Sequence, residues 1–233
     1  VAEYNPFEAV KTNVIGTENL IEACIDNNVE LVLAIGTDKA VSPVNTYGAT
    51  KLLMERLFIS ANFFKGNQKI KFVCVRYGNV LGSRGSIVPV FVNQIKKGKK
   101  ITITDPSMTR FNITMEEALN LIFRAIKNSK GGEIFIPKLK AYKVGDMKDA
   151  IVEGLNSSIK SEIISIRPGE KIHEFLINTD ELRNTFENNE DYIIIDQQLQ
   201  DSKFNEENIL PRTKLNQAYS SDKVDLLTKD ELK

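Results

Sequence analysis

The strongest constraint on this chain is a pair of short, almost wholly apolar runs, Val29 to Ile35 (VELVLAI) and Lys71 to Tyr77 (KFVCVRY). A strand that is apolar on both sides of its pleat must be covered on both faces, the condition of parallel strands lying under helices. Between the two runs, Leu52, Leu53, Leu57, Phe58 and Ala61 recur at helical spacing from Tyr47 to Phe64. Ahead of them, Asn5-Pro6 opens a helix carrying Phe7, Val10, Val14, Ile21 and Cys24 on one face, broken at Asp26-Asn27-Asn28. Helix, strand, helix, strand in that order predicts an α/β fold with part of a doubly wound parallel sheet.

After Tyr77 the texture changes. GNVLGSRGSIVP is a glycine-punctuated loop and KKITITD a short alternating strand. Thr114 and Glu117 have the spacing of a capping box and predict a helix to about Lys127, ended by Gly131-Gly132. EIFIP, EIISI and YIII read as strands, Asp146 to Leu155 as a short helix, and RPGEKIHEFLI as a turn feeding a helix. These elements divide the chain into residues 1–80, a mixed lobe with returning sheet elements over 81–196, and a polar, weakly patterned segment over 197–233 expected to be an extended tail.

Composition excludes several roles. The 31 basic and 31 acidic side chains cancel, so neither nucleic acid nor an anionic membrane is an expected partner. No apolar run reaches the roughly 18–20 residues that span a bilayer. A single histidine, His173, and no clustered Cys or Asp offer no metal site. His173 itself is expected on a helix, satisfied locally. Cys24 and Cys74 read as free thiols, which fits a reducing, cytoplasmic location. The opening VAEYNPFEAV carries no signal-peptide pattern and is expected to be the interior of a longer protein.

Titratable chemistry gathers in GTDKAVSPVNTYGATK, Gly36 to Lys51. Thr37, Asp38 and Lys39 follow the carboxyl end of a strand, where open α/β sheets bind ligands. Tyr47 and Lys51 are four apart and share a helix face. An ammonium beside a phenol favours the phenolate, giving a base for an alcohol proton. Read blandly, the same residues are a loop ion pair and a helix-face tyrosine with a solvated lysine.

Five stretches in order, TDKAVSPVNTYGATK, VRYGNVLGSRGSIVP, MTRFNIT, GGEIFIPK and IRPGEKIHE, resemble the extended short-chain dehydrogenase/reductases. They are most similar to the polysaccharide-biosynthesis branch and its inverting UDP-N-acetylglucosamine 4,6-dehydratases. The resemblance runs from Asn5 to Ile195 and departs at Gly36, where those enzymes usually carry Ser. It implies part of a Rossmann-like domain with a small C-terminal α/β substrate-binding lobe, NADP (or NAD) as cofactor and UDP-N-acetylglucosamine or a related UDP-sugar as substrate. The implied roles are Tyr47 as base at the C4 hydroxyl, Lys51 lowering its pKa and holding the ribose with Thr37, Lys39 as C5 base and Asp38 as acid for the C6 hydroxyl. Asn79, Arg84, Arg110, Arg167 and Glu170 would meet the nucleotide. A homo-oligomer in the complete protein is a further implication.

GNVLGSRGS, with Asp105 some way downstream, mimics a dinucleotide fingerprint but lies after the tyrosine, so the resemblance makes it a sugar-nucleotide loop. No Gly-x-x-Gly-x-x-Gly loop precedes Tyr47, so the chain alone is expected to bind cofactor poorly and to be inactive. Two rivals remain open: a UDP-N-acetylhexosamine 4-epimerase, which has no use for the Asp38-Lys39 pair, and a non-catalytic relative.

Overall fold

The structure, a computed structural model, describes residues 2–197, 199 and 210–233. In chain order its helices are α1 (Pro6–Val10), α2 (Gly16–Asp26), α3 (Thr46–Phe64), α4 (Ile87–Lys96), α5 (Met115–Asn128) and α6 (Val144–Gly154). Its strands are β1 (Leu31–Ile35), β2 (Lys71–Val75), β3 (Ile101–Ile103), β4 (Thr109–Phe111), β5 (Glu133–Pro137), β6 (Ala141–Lys143), β7 (Ser161–Ile163), β8 (Phe175–Ile177), β9 (Thr185–Glu187), β10 (Asp191–Ile195) and β11 (Tyr219–Ser220). The chain forms two compact units: residues 1–77, 119–138 and 175–218, and residues 78–118, 139–174 and 219–233.

The first unit is built on a five-stranded sheet in the order β1-β2-β5-β10-β9. β1, β2 and β5 are parallel, as their uninterrupted apolar runs require. β10 returns antiparallel to both β5 and β9. Phe72, Val73, Cys74 and Val75 are buried, and Phe72 meets Phe58 of α3 edge-to-face with ring centroids 6.0 Å apart. The buried Asn62 of α3 donates to Phe72 O (2.9 Å) and accepts from Phe72 N (3.3 Å), satisfying a strand-end peptide and fixing where α3 lies along β2.

The first helix departs from expectation. Phe7 is 81% exposed, whereas Ile21 is buried. A π-helical turn at Lys11–Ile15 joins α1 to α2. Its wider turn shifts the phase of α2 relative to α1, so positions spaced for an uninterrupted α-helix do not share one face.

In the second unit β3 pairs with β7 in parallel and β4 with β6 antiparallel. Phe91, Ile101, Ile103, Met108 and Val144 form its apolar core, with Ile87, Ile95 and Ile151 packed around them. The capping box is present: Glu117 N donates to Thr114 Oγ1 (3.2 Å) and Thr114 N to Glu117 Oε2 (2.7 Å).

RPGEKIHEFLI does not become a helix. It runs as turn and loop into β8. The backbone explains why: Thr109 N donates to Ile172 O (3.1 Å) and Glu174 N to Ser221 Oγ (2.9 Å), so these groups hold neighbouring segments rather than a helical ladder. His173 therefore sits in a loop, its Nδ1 2.8 Å from Thr109 Oγ1. Part of the polar C-terminal segment falls outside the described residues. Further on, Tyr219 is buried against Phe111, with ring centroids 5.2 Å apart, and its hydroxyl accepts from Leu139 N (2.6 Å). Residues 219–233 belong to the second unit. Among the described residues no helix is long and apolar enough to cross a membrane.

Candidate active site

In the first unit, β1 ends at Ile35 and the chain enters a 3₁₀ turn, Asp38–Ala40. Two backbone bonds tie this exit to the end of β2: Gly36 N donates to Val75 O (2.7 Å) and Asp38 N to Tyr77 O (3.2 Å). The fit is tight enough that a Cβ on Gly36 would lie 2.7 Å from Val75 O, which accounts for glycine here. Asp38 is only 2% exposed. Its Oδ1 accepts from Thr37 Oγ1 (2.9 Å) and from Lys39 Nζ (3.0 Å), so a buried carboxylate is compensated by its two chain neighbours.

α3 is capped by Asn45, whose Oδ1 accepts from Gly48 N (2.7 Å). A Cβ on Gly48 would stand 2.3 Å from Lys39 O, so the first turn of α3 is pressed against the 3₁₀ turn. Tyr47 is the residue before that contact and is partly exposed; Lys51 follows one turn later. Lys51 Nζ donates to Ile35 O (3.0 Å), reaching the last residue of β1. Burial pulls the Lys51 ammonium below the ordinary lysine range, against the opposing pull of Glu55. Thr37, Asp38, Lys39, Tyr47 and Lys51 are thus held at one end of β1 by strand, turn and helix cap.

In the second unit a cavity of about 250 Å³ is lined by Asn79, Arg110, Arg167 and Glu170, four of the five residues expected to bind the nucleotide. Arg84, the fifth, is exposed and is not among the lining residues. Arg110 is more committed than a surface arginine. It donates to Thr109 O (2.7 Å), Ile172 O (3.0 Å) and Lys171 O (3.0 Å), and so clips the loop that carries Arg167 and Glu170. Glu170 in turn accepts from Arg167 N (3.2 Å) and from Thr104 Oγ1 (3.4 Å).

Thr102, Thr104 and Tyr142 also line this cavity, and the sequence reading does not single them out. Alternation in ITIT puts both threonines on one strand face, a signal that could have found them. Tyr142 arrives only through pairing opposite Arg110 across β4 and β6. Burial pushes its phenol up to about 12, so it stays a neutral hydroxyl.

A parallel sheet whose first strand runs into Thr-Asp-Lys, followed by a helix opening on Tyr-x-x-x-Lys, defines a Rossmann-type fold of the short-chain dehydrogenase/reductase kind. The chain belongs to the polysaccharide biosynthesis protein family, which it matches over residues 1–196. It is 51% identical over 202 residues to an uncharacterized membrane protein of Methanocaldococcus jannaschii (84% of this chain, 60% of that one). It is 46% identical over 188 residues to the inverting UDP-N-acetylglucosamine 4,6-dehydratase of Campylobacter jejuni (80% and 55%). A UDP-glucose 4-epimerase of Rickettsia rickettsii is 41% identical over 180 residues (77% and 53%). The chain thus spans little more than half the length of these curated relatives. The X-ray structure of Pen from Bacillus thuringiensis matches with a TM-score of 0.90 at 43% identity, over 99% of this chain and 68% of that one.

Proposed function

We propose that the complete protein is a C5-inverting UDP-N-acetylglucosamine 4,6-dehydratase that works with bound NADP and serves surface or flagellar glycan synthesis. The observation that carries the reading is the buried carboxylate of Asp38 with the Lys39 ammonium on it at 3.0 Å. Elimination of water across a C5–C6 bond needs a base at C5 and an acid at the C6 oxygen. One proton passing from Lys39 to Asp38 turns the ion pair into that neutral base and that acid together.

Tyr47, Lys51 and Thr37 form a donor set of phenol, ammonium and hydroxyl that suits the nicotinamide-riboside end of the cofactor. A nicotinamide held by these residues would supply the hydride chemistry, as acceptor for C4 and then donor for C6. Tyr47 takes the C4 hydroxyl proton, and Lys51 offers ammonium protons to the ribose diol. Once C4 is a ketone the C5 proton is acidic; Lys39 removes it, and Asp38 protonates the hydroxyl leaving C6 as water. Inversion then requires the returning proton to reach C5 on the face opposite the one from which Lys39 removes it, since return from Lys39 itself would retain the configuration.

In the second unit, Arg167 and Asn79 supply donors for the diphosphate, and Glu170 accepts from the nucleoside. Ile87, Phe91, Met108 and Val144 give the cavity the apolar wall that a base requires.

A 4-epimerase is the second reading, favoured by the 41% identity to the Rickettsia enzyme. It would use Tyr47 and Lys51 but leave the Asp38–Lys39 pair without a task. Incubation of the complete protein with UDP-N-acetylglucosamine decides the matter by proton NMR. The proposal expects a new C6 methyl doublet and inverted C5; a C4 epimer with an intact C6 hydroxymethyl would overturn it.

A further inference from the structure

Arg76 is the largest fully buried side chain among the described residues and has no part in the chemistry above. It follows β2 directly, and all five of its N–H groups are taken. Nε donates to Glu55 Oε2 (3.0 Å) and Nη2 to Glu55 Oε1 (2.5 Å). Nη2 also donates to Glu181 Oε1 (2.9 Å), and Nη1 to Glu181 Oε2 (3.0 Å) and Leu176 O (2.7 Å). Glu55 is itself 0% exposed. A hydrophobic side chain would fill this space without the desolvation that a buried ion triplet demands, so stability alone is a poor reason for it.

What the triplet joins is specific. Arg76 stands between Val75 and Tyr77, whose carbonyls hold the backbone N–H groups of Gly36 and Asp38. Glu55 lies on α3 one turn beyond Lys51 and two beyond Tyr47, on the same face. Its Oε2 fills the space over Gly36, 3.4 Å from where a Cβ would stand. One guanidinium therefore ties the strand end that sets the Asp38 turn to the helix that carries the tyrosine and lysine. Two bidentate forks fix orientation as well as distance, which a lysine could not do.

We propose that Arg76, gripped by Glu55 and Glu181, is a positioning residue that locks the Tyr47–Lys51 helix in register with the Asp38–Lys39 turn. The catalytic part of this claim rests on the dehydratase reading; the mechanical part does not. Arg76→Lys keeps the charge and loses the forks. In the complete protein it is expected to lower kcat about 100-fold, the scale of a misplacement near 1 Å, with KM for the UDP-sugar little changed. Glu181→Gln, which keeps the Glu55 fork, is the milder variant if Arg76→Lys fails to fold, and is expected to lower kcat less with the same unchanged KM.

A readout independent of turnover is the NMR titration of Lys51 in the complete protein, labelled at lysine Cε and assigned with Lys51→Arg. Glu55→Gln removes a carboxylate that supports the ammonium, so Lys51 is expected to titrate at lower pH than in the parent. Arg76→Lys is expected to broaden or shift the same signal as α3 loses its register. Tyr47→Phe is the control: if that variant keeps full turnover the dehydratase reading is wrong, and the clamp is judged on Lys51 alone. A folded Arg76→Lys protein with parental kcat, or with kcat and KM falling together only as the melting temperature falls, would overturn the inference. So would a Lys51 titration unchanged in both Glu55→Gln and Arg76→Lys.

Discussion

The ammonium of Lys39 sits 3.0 Å from Oδ1 of Asp38, yet one side chain is 29% exposed and the other almost wholly enclosed. The pair therefore has an accessible end and a shielded end. The shielded carboxylate is held by Thr37 as well, whose hydroxyl donates to the same oxygen. A surface ion pair of the ordinary kind has both partners in water and contributes about 0–1 kcal/mol; this one is built into the exit of a strand.

If Asp38 is the acid for the departing C6 hydroxyl, Asp38→Asn separates the first half-reaction from the second. Asparagine keeps the shape and the hydrogen bond from Thr37 but cannot deliver a proton. Oxidation at C4 should persist while product formation falls by about 10²–10⁴-fold, the usual contribution of a positioned acid. Reduced-nicotinamide absorbance would then accumulate during turnover. A variant that makes 6-deoxy product at the parental rate removes Asp38 from the chemistry.

Gly48 sets two physical preferences against each other. Helix propensity alone favours alanine there by about 1 kcal/mol. The Cβ of that alanine would stand 2.3 Å from the backbone oxygen of Lys39, which cannot swing away as a flexible side chain can. Overpacking against fixed backbone costs about 1–3 kcal/mol. We expect Gly48→Ala to lower the melting temperature despite the better helix former, and to shift the Asp38–Ala40 turn. A raised melting temperature would mean that the helix start has slack the geometry denies.

How much of the molecule is legible in its sequence depends on the range of the interactions. β1 and β2 are readable because apolar runs report burial on both faces without reference to any partner. The Thr114–Glu117 box is readable because both halves lie within one turn. RPGEKIHEFLI reads as helical, wrongly, because a short apolar run after a Pro-Gly turn fits either period; contacts with Thr109 and Ser221 decide it. The exposure of Phe7 comes from a π turn that leaves no plain mark in KTNVI. Adjacency suggests Asp38 and Lys39 as a pair, but not that one of them is buried. Arg76 gives no signal at all, since its carboxylates lie 21 and 105 residues away.

The two cysteines should differ in reactivity for a reason visible in their surroundings. Cys74 is buried in β2, and burial together with the nearby Glu55 carboxylate raises its thiol well above the ordinary range. Cys24 is only half-buried on α2. Under native conditions at mildly alkaline pH, a maleimide or iodoacetamide should modify Cys24 and spare Cys74, with both reacting in denaturant. Mass spectrometry of tryptic peptides reads the result. Equal native labelling of the two would show that β2 opens far more readily than its position between β1 and β5 allows.

Acid should expose the buried triplet. Burial works against the charged form of Glu181, but the Arg76 guanidinium and the N–H of Asn178 outweigh it and hold the carboxyl below its ordinary value of 4.5. A carboxylate depressed in the folded state contributes stability that is complete above the unfolded value and is lost as pH falls through the folded one. The loss should therefore begin near pH 4.5 and deepen below it, rather than appear around neutrality. Protonation of Glu181 also frees one side of the Arg76 fork, so the effect should be cooperative with unfolding of the first unit. Thermal melts from pH 7 to pH 3 test this by comparing the parent with Glu181→Gln. The variant should be less stable at neutral pH and show a shallower decline below pH 4.5, because the group that titrates in the parent is gone. Parallel declines would place the acid sensitivity in other carboxylates and leave Glu181 as a spectator.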